Sequence, residues 1–575
     1  MKQFLVLIFF VFILSGATAQ VVVSGSNERS ILAATPQEEV YITLNTKTLL
    51  TGEYIYYQIH VFNSVTKQRS KNSKIAYFDI VGAGNSFVCS QKVVLKNGIG
   101  NGDFFIPTSV TSGNYKVFGY TNWMRNAGLR QFFQTDIRIL NPYQSSGIAS
   151  ALKVAQKDTL TYIKEDVMKG ADNIKKYGKR AEVVLTTEDD ILKALPEGEY
   201  TLSVRKISSL DSLPFQSTTT HFSPKDDRAS LVANAPIYMP ELRGELLYGK
   251  VTTNDPSLSI ANVGVAISFE TESPYLKIVR TNSEGGFAVT VDQKYDGSFA
   301  YITLLDVPDN AMSVQMIPRS KPNYTTVQFP EFVMPEKYTS EIVSRSIHNQ
   351  IENAFFSNKP DSIVPSATKA LFTNLKKTTY QLDDYTRFKT MKETIVEIIS
   401  DVTVKRISRA IEEVHIKTNE LKDDPAILPL VLLNGVVQEN HTIFLARDAR
   451  KAIKVNVYRD IVVIGAKQYE GVLEVETTQE DLEDSFLYSR VTKAPIYAPQ
   501  SEKRYFKQRY TTASVKSRIP DDRLQLLWQP NFTVTEKIQP ISFYTSDISG
   551  MFKVRISGFS SDGKLQNRST TFRVK

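Results

Sequence analysis

Between residues 40 and 142 apolar and polar side chains alternate with a period of two, most plainly in Tyr54-Ile55-Tyr56-Tyr57-Gln58-Ile59-His60-Val61. Turn signals at Gly52, Gly82-Ala83-Gly84, Asn97-Gly98 and Gly113-Asn114 cut the alternation into short runs, which predicts an antiparallel sandwich. A second alternating stretch covers 181–207, where Leu195-Pro196-Glu197-Gly198-Glu199-Tyr200 repeats the turn-then-strand logic of 107–117. Tandem related modules give such a repeat, and so do the turns of any sandwich. Further strand patterns follow at 244–304, at Pro429-Leu430-Val431-Leu432-Leu433 with a turn at Asn434-Gly435, at 461–465 and 469–475, and at 518–558.

Helical spacing is rare. Thr390-Met391-Lys392-Glu393 is a capping box that predicts a helix start, and Met391, Ile395, Ile398 and Ile399 then share one face. Ser346 to Phe356 reads as a short amphipathic helix in a linker. The fold class is therefore mainly β, with tandem antiparallel β-sandwich domains and one small α+β domain.

Particular motifs add resemblances. Leu49-Leu50-Thr51-Gly52-Glu53, Gly102-Asp103-Phe104-Phe105-Ile106-Pro107, Ser112-Gly113-Asn114-Tyr115 and Tyr120-Thr121-Asn122-Trp123-Met124-Arg125-Asn126 together resemble the macroglobulin-like sandwich domains of bacterial envelope proteins. Gly249-Lys250-Val251, Ile260 to Val265 and Thr281-Asn282-Ser283-Glu284-Gly285-Gly286-Phe287 resemble the carboxypeptidase regulatory-like domain, a small sandwich without catalytic function. That resemblance implies a glycine at positive φ in the turn, a phenylalanine entering the core, and Asn282 capping the turn. The strands from Pro429 to Val475, with Tyr380-Gln381-Leu382-Asp383-Asp384-Tyr385, Phe388 and Met391 to Ile395 ahead of them, resemble the plug domain of TonB-dependent outer-membrane receptors. A receptor barrel needs many strands of about ten residues, and only a hundred residues follow Val475, so the resemblance implies a plug without its barrel. Residues 518–558 resemble the module that ends macroglobulin-like proteins.

The organisation expected is a signal peptide at 1–19, a macroglobulin-like sandwich at 20–145, a second sandwich at 155–235 and a regulatory-like sandwich at 240–325. A helical linker at 326–378, a plug-like domain at 379–485 and a C-terminal sandwich at 490–575 complete it. A polar link is expected around residues 145–158.

The start of the chain sets the compartment. Lys2, the apolar run from Phe4 to Leu14 and Ala17-Thr18-Ala19 form an export signal with a cleavage site. The run is too short for a stable span of a bilayer of ~30 Å, so no transmembrane segment is expected after cleavage. An exported protein, periplasmic or associated with the outer membrane of a Gram-negative cell, follows. Cys89 is the single cysteine, which leaves no intramolecular disulfide and reads as a buried small hydrophobe. The formal charge of +8 arises from 69 basic and 61 acidic residues spread along the chain. Basic clusters at 175–180 and at Lys503-Arg504-Tyr505-Phe506-Lys507-Gln508-Arg509 read as solvated faces or as attraction to anionic lipid, and nucleic acid is not expected as a partner.

Catalytic and metal-binding patterns do not emerge. His60, His221, His348, His415 and His441 are dispersed, without a second ligand at metal spacing. The acid pairs Asp189-Asp190, Asp226-Asp227, Asp383-Asp384 and Asp521-Asp522 suit solvated turns, because neighbours in a strand face opposite ways. Cys89-Ser90-Gln91 is not the thioester of protease-trapping macroglobulins. No cofactor is expected. What remains is binding. A non-enzymatic exported scaffold is the leading expectation, docking on an outer-membrane barrel protein or envelope complex that serves transport, assembly or secretion. A plug-bearing component of a TonB-dependent transport system and an envelope hydrolase with an unrecognised site stay open as alternatives. Tyr120, Trp123, Tyr505 and Phe506 are the candidate partner contacts. Tyr54, Tyr56 and Tyr57 join them as aromatic candidates, although alternate strand residues must face a core.

Overall fold

The alternation from residue 40 onward becomes two facing sheets. The computed structural model describes residues 35–144, 174–213, 215, 237–271, 273–295, 297–308, 311–365, 371–418, 427–465, 467–478, 491–511, 514–516, 518–536 and 538–575. The expected signal peptide, the polar link, His221 and Asp226-Asp227 lie outside them. The chain is mainly β and mostly antiparallel. Its described residues divide between two compact units, one drawn from Val23–Glu245, Pro322–Ala367 and Ala498–Lys575, the other from Leu246–Lys321 and Thr368–Tyr497.

In the first of these units, Glu38–Leu44, Tyr54–Asn63 and Ile99–Phe105 form one sheet. Thr48–Leu50, Phe133–Leu140, Gly113–Tyr120, Ile75–Gly82 and Ser86–Val94 form the facing one. Tyr57 shows how the faces interlock. It sits opposite Gly102 in the register, where a Cβ would stand 2.4 Å from its hydroxyl, and its ring stacks on Phe78 of the other sheet at 3.8 Å. Asp79 is buried in this core and accepts from Tyr120 Oη at 2.9 Å, Tyr324 Oη at 2.8 Å and Ser90 Oγ at 2.7 Å. Cys89 is buried here too, as expected.

A second sandwich shares this unit. Its main sheet runs in the order Gln525–Val534, Gly198–Lys206, Gly550–Ser560, Leu565–Val574, Lys176–Tyr177, and Glu182–Leu185 pairs with Ile541–Tyr544. The segments expected as separate sandwiches at 155–235 and 490–575 thus contribute strands to one sheet, around one core of residues such as Tyr200, Leu202, Leu527, Phe552 and Ile556. The linker helix is longer than the sequence pattern indicates, covering Thr339–Ala354. Its inward face carries polar groups: Arg345 grips Glu53 through two bonds of 2.7 Å, and Asn349 and Asn353 donate to the carbonyls of Thr51 and Gly52.

In the other unit, Gly286–Val291, Glu245–Thr253 and Met312–Ile317 form one sheet, and Tyr275–Arg280, Gly264–Phe269, Phe299–Leu305 and Thr492–Pro495 another. The turn before Phe287 has the expected geometry. Gly285 has φ +77°, Asn282 Oδ1 accepts from the N–H groups of Glu284 and Gly286, and Phe287 is buried over Gly249, whose missing Cβ leaves room for the ring.

The α+β part follows the order Lys377–Gln381, Ala452–Ile464, Lys467–Thr477, Leu430–Leu433, Val436–Val437. Leu430–Leu433 runs parallel to its neighbour and is buried on both faces, which explains the unbroken apolar run in the sequence. Asn434 and Gly435 both have positive φ and make the two-residue turn that such a pair favours. The helix Met391–Ile398 starts at the expected box, with Thr390 and Glu393 each bonding the other's backbone. No described helix is long and apolar enough to cross a membrane.

Candidate functional site

The strand Tyr54–Asn63 begins with three tyrosines in four residues. Alternation sends Tyr57 into the core of its own sandwich and leaves Tyr54 and Tyr56 on the outer face. That face meets the linker helix, the segment 359–363 and the strands of the second sandwich within the same compact unit, and between them lies a cleft of ≈ 120 Å³. The volume suits a small terminal group rather than a large ligand.

One wall of the cleft is aromatic. Phe356 stacks on Tyr54 with centroids 5.6 Å apart, Tyr54 on Tyr56 at 5.9 Å, and Tyr56 on Trp528 at 5.9 Å, while Tyr505 meets Tyr56 edge-on at 5.2 Å. Offset contacts at these separations are the favoured aromatic geometry, so the wall is a fixed surface. Trp528 and Tyr505 are nearly covered, whereas Phe356 is 41% exposed at the rim. Burial, with the nearby carboxylates of Asp361 and Asp103, pushes the phenols of Tyr54 and Tyr56 up from their ordinary value. Both stay neutral donors at any physiological pH.

Around the wall the charges are matched in pairs. Glu53 is held by Arg345 and at 3.3 Å by Arg205, Glu352 by Lys359 at 2.7 Å, and Asp522 by His348 Nδ1 at 2.7 Å. Behind them Asp521 is buried, which opposes its ionisation, but two bonds from Arg523 and the charge of Lys359 hold its carboxyl down at about 2. Asp361 differs. Its Oδ1 accepts from the backbone N–H of Phe506 at 2.9 Å, and burial raises its pKa with Asp103 adding to the effect.

The four candidate contacts separate cleanly. Tyr505 and Phe506 line the cleft; Tyr505 Oη donates to Asp103 Oδ2 at 3.2 Å, and Lys503 lies 3.0 Å from the same carboxylate. The basic cluster around them is in part an internal pairing rather than a free basic face. Tyr120 and Trp123 lie elsewhere, fully covered in the first sandwich. Tyr120 donates to Asp79, and Trp123 Nε1 donates to the carbonyl of Pro36 at 3.0 Å. Neither ring reaches a surface: Tyr120 ends a strand whose last six residues are all buried, and Trp123 opens a covered 3-10 turn, Trp123–Ala127. Phe356, Asp361 and Trp528 carry no local signal as site residues: the first two lie five positions apart after the linker helix and the third far along the chain, and only their aromatic or acidic character is visible in the sequence.

Of the histidines, His60 is buried beside Arg69 and His441 is buried near His415. Among the described residues no group of three metal-ligating side chains converges.

No protein-family model matches the chain, and no curated protein matches it significantly in sequence. Among solved structures, the chain is similar to Salmonella alpha-2-macroglobulin reacted with methylamine, with 9% identity over 93% of this chain and 39% of that one and a TM-score of 0.23. Escherichia coli alpha-2-macroglobulin activated by porcine elastase matches with 8% identity over 94% of this chain and 44% of that one, at a TM-score of 0.24. Dimeric latent PorU from Porphyromonas gingivalis matches with 11% identity over 48% of this chain and 33% of that one, at a TM-score of 0.15. The chain spans about two fifths of the length of the macroglobulins it matches. Superpositions this loose carry no assignment of family or activity.

Proposed function

We propose that the chain is an exported, non-enzymatic binding scaffold of a bacterial envelope, docking on an outer-membrane transport, assembly or secretion complex. The export signal read at 1–19 supports the compartment. In this reading macroglobulin-like sandwiches, a regulatory-like sandwich and a plug-like α+β domain over 379–485 serve as interaction modules. The observation that carries the proposal is the aromatic cleft. Its rings are locked against one another and its acids and bases are largely tied in pairs, an arrangement suited to holding a group in place rather than to moving protons.

The experiment is a mild-detergent pull-down of the tagged mature chain from its native envelope, with mass spectrometry of what accompanies it. A barrel protein recovered in fixed proportion is the expected result, with the proportion reduced when Phe356 and Tyr54 are both changed to Ser. A lone soluble monomer overturns the scaffold reading.

A further inference from the structure

The charge pattern of the cleft has one irregularity. Glu53, Glu352 and Asp522 each face a basic side chain, Arg345 with Arg205, Lys359 and His348 respectively. Asp361 lines the same cleft and has, among the described residues, a single backbone N–H as its hydrogen-bond partner and no ion pair. A half-buried carboxylate satisfied in this way is short of a counter-charge, since burying an unpaired charge is costly. Lys503 lies near enough to act on it through space, but its ammonium is bonded to Asp103.

Two further groups line the same cleft. The phenols of Tyr54 and Tyr56 feel the negative charge of both Asp361 and Asp103. Neither hydroxyl has a hydrogen-bond partner among the described residues, and their rings and that of Phe356 supply an apolar flank. A carboxylate at the end, phenolic oxygens able to accept, and an aromatic flank are what an alkyl chain ending in a positive charge needs: the chain lies on the rings and the head reaches the acid.

We infer that the cleft is a receptor for an alkyl guanidinium or ammonium group, with Asp361 as its counter-ion, and that the group is the side chain of an arginine or lysine presented by a partner polypeptide. The inference rests on reading the cleft as a binding site and adds the chemistry of its ligand. The cavity, sized for a small terminal group, fits one side chain.

The chain contains two tryptophans. Trp123 is sealed in the first sandwich and Trp528 stands in the cleft wall, so fluorescence on binding reports from Trp528. The full mature chain is titrated with butylguanidinium chloride, a terminally blocked Gly-Arg-Gly peptide and spermidine, with butylurea as the neutral isostere, and saturation-transfer NMR on each probe gives a second readout. The expected result is a response to the cationic probes, none to butylurea, and weakening by added salt. Asp361→Asn, which keeps an acceptor for the Phe506 N–H, should weaken binding at least about tenfold, the size of one charge-assisted hydrogen bond, with the melting temperature unchanged. Tighter binding of the peptide than of spermidine supports a side-chain ligand; the reverse order overturns that source in favour of a free polyamine. Equal binding of butylurea, unchanged binding by D361N, or silence in both readouts up to the order of 10 mM overturns the cation assignment. The titration and the pull-down fail separately. D361N that binds like the parent chain sinks the cation assignment whatever co-purifies, and a lone monomer sinks the scaffold whatever the probes do.

Discussion

His441 shows how a single side chain ties stability to pH. It is buried in the α+β part, and its Nδ1 accepts the N–H of Val414 at 3.2 Å, so the folded chain requires the neutral ring. Burial first, then the positive fields of His415 and Lys467, lower its pKa to about 4. The unfolded ring takes a proton near pH 6.5. Stability is therefore full above that value and is lost as the pH falls toward 4, because only the unfolded state gains from protonation in between. The loss is at most about 3 kcal/mol at 1.36 kcal/mol per pH unit. Hydrogen-exchange protection of the buried strands around His441, corrected for intrinsic exchange and compared from pH 7 to pH 4, should fall by an amount that H441Q reduces; equal losses in the two proteins would contradict the assignment. Little of this was legible in the sequence, where His441 stands as one of five scattered histidines. The same limit hid Asp361. Its lack of a cation has meaning only once the neighbouring acids are seen to have theirs, and the partners of Glu53 and Asp522 come from distant segments.

Elements were far more legible than sites, wherever their signal is local. The Asn434-Gly435 turn, the glycine turn before Phe287 and the capping box at Thr390 each depend on residues within a few positions, and each has the geometry its residues call for. The box is open to a direct test. Thr390→Ala removes the side-chain acceptor of the Glu393 N–H and should destabilise the Met391–Ile398 helix by about 1 kcal/mol. Because a chain of several domains does not melt as one cooperative unit, the measurement is hydrogen exchange of the helix amides, and unchanged protection there would show that packing of Met391 and Ile395 alone holds the helix. The linker helix shows the opposite case. Apolar spacing indicates a start near Ser346, yet the helix begins at Thr339, because Arg345 and Asn349 anchor its buried face by hydrogen bonds to the turn at Thr51-Gly52 and to Glu53. Hydrophobic periodicity cannot register a face that is buried through polar groups.

At the scale of the whole molecule the sequence announces strands but not their partners. Alternation correctly marks 198–206 and 550–558 as strands; nothing in either stretch says that they pair, register Gly198 with Ser560 and Lys206 with Phe552, across some 350 positions. The consequence is that one sandwich depends on both ends of the compact unit that contains it. Gly198–Lys206 is an inner strand, flanked by Gln525–Val534 and Gly550–Ser560. Its residues Tyr200, Leu202 and Val204 share a core with Phe552, Val554 and Ile556. A chain that stops after residue 548 loses the last two strands, and with them one hydrogen-bonded edge of Gly198–Lys206 and a large part of that core. Limited proteolysis and hydrogen exchange should then show residues 176–206 opened although they are unaltered in sequence, while Ile75–Gly82 and Gly113–Tyr120 keep their protection around Phe78 and Asp79. If instead 176–206 stays protected in the shortened chain, that segment folds as the independent sandwich that its own alternation first indicated, and the pairing with the last strands is not what stabilises it.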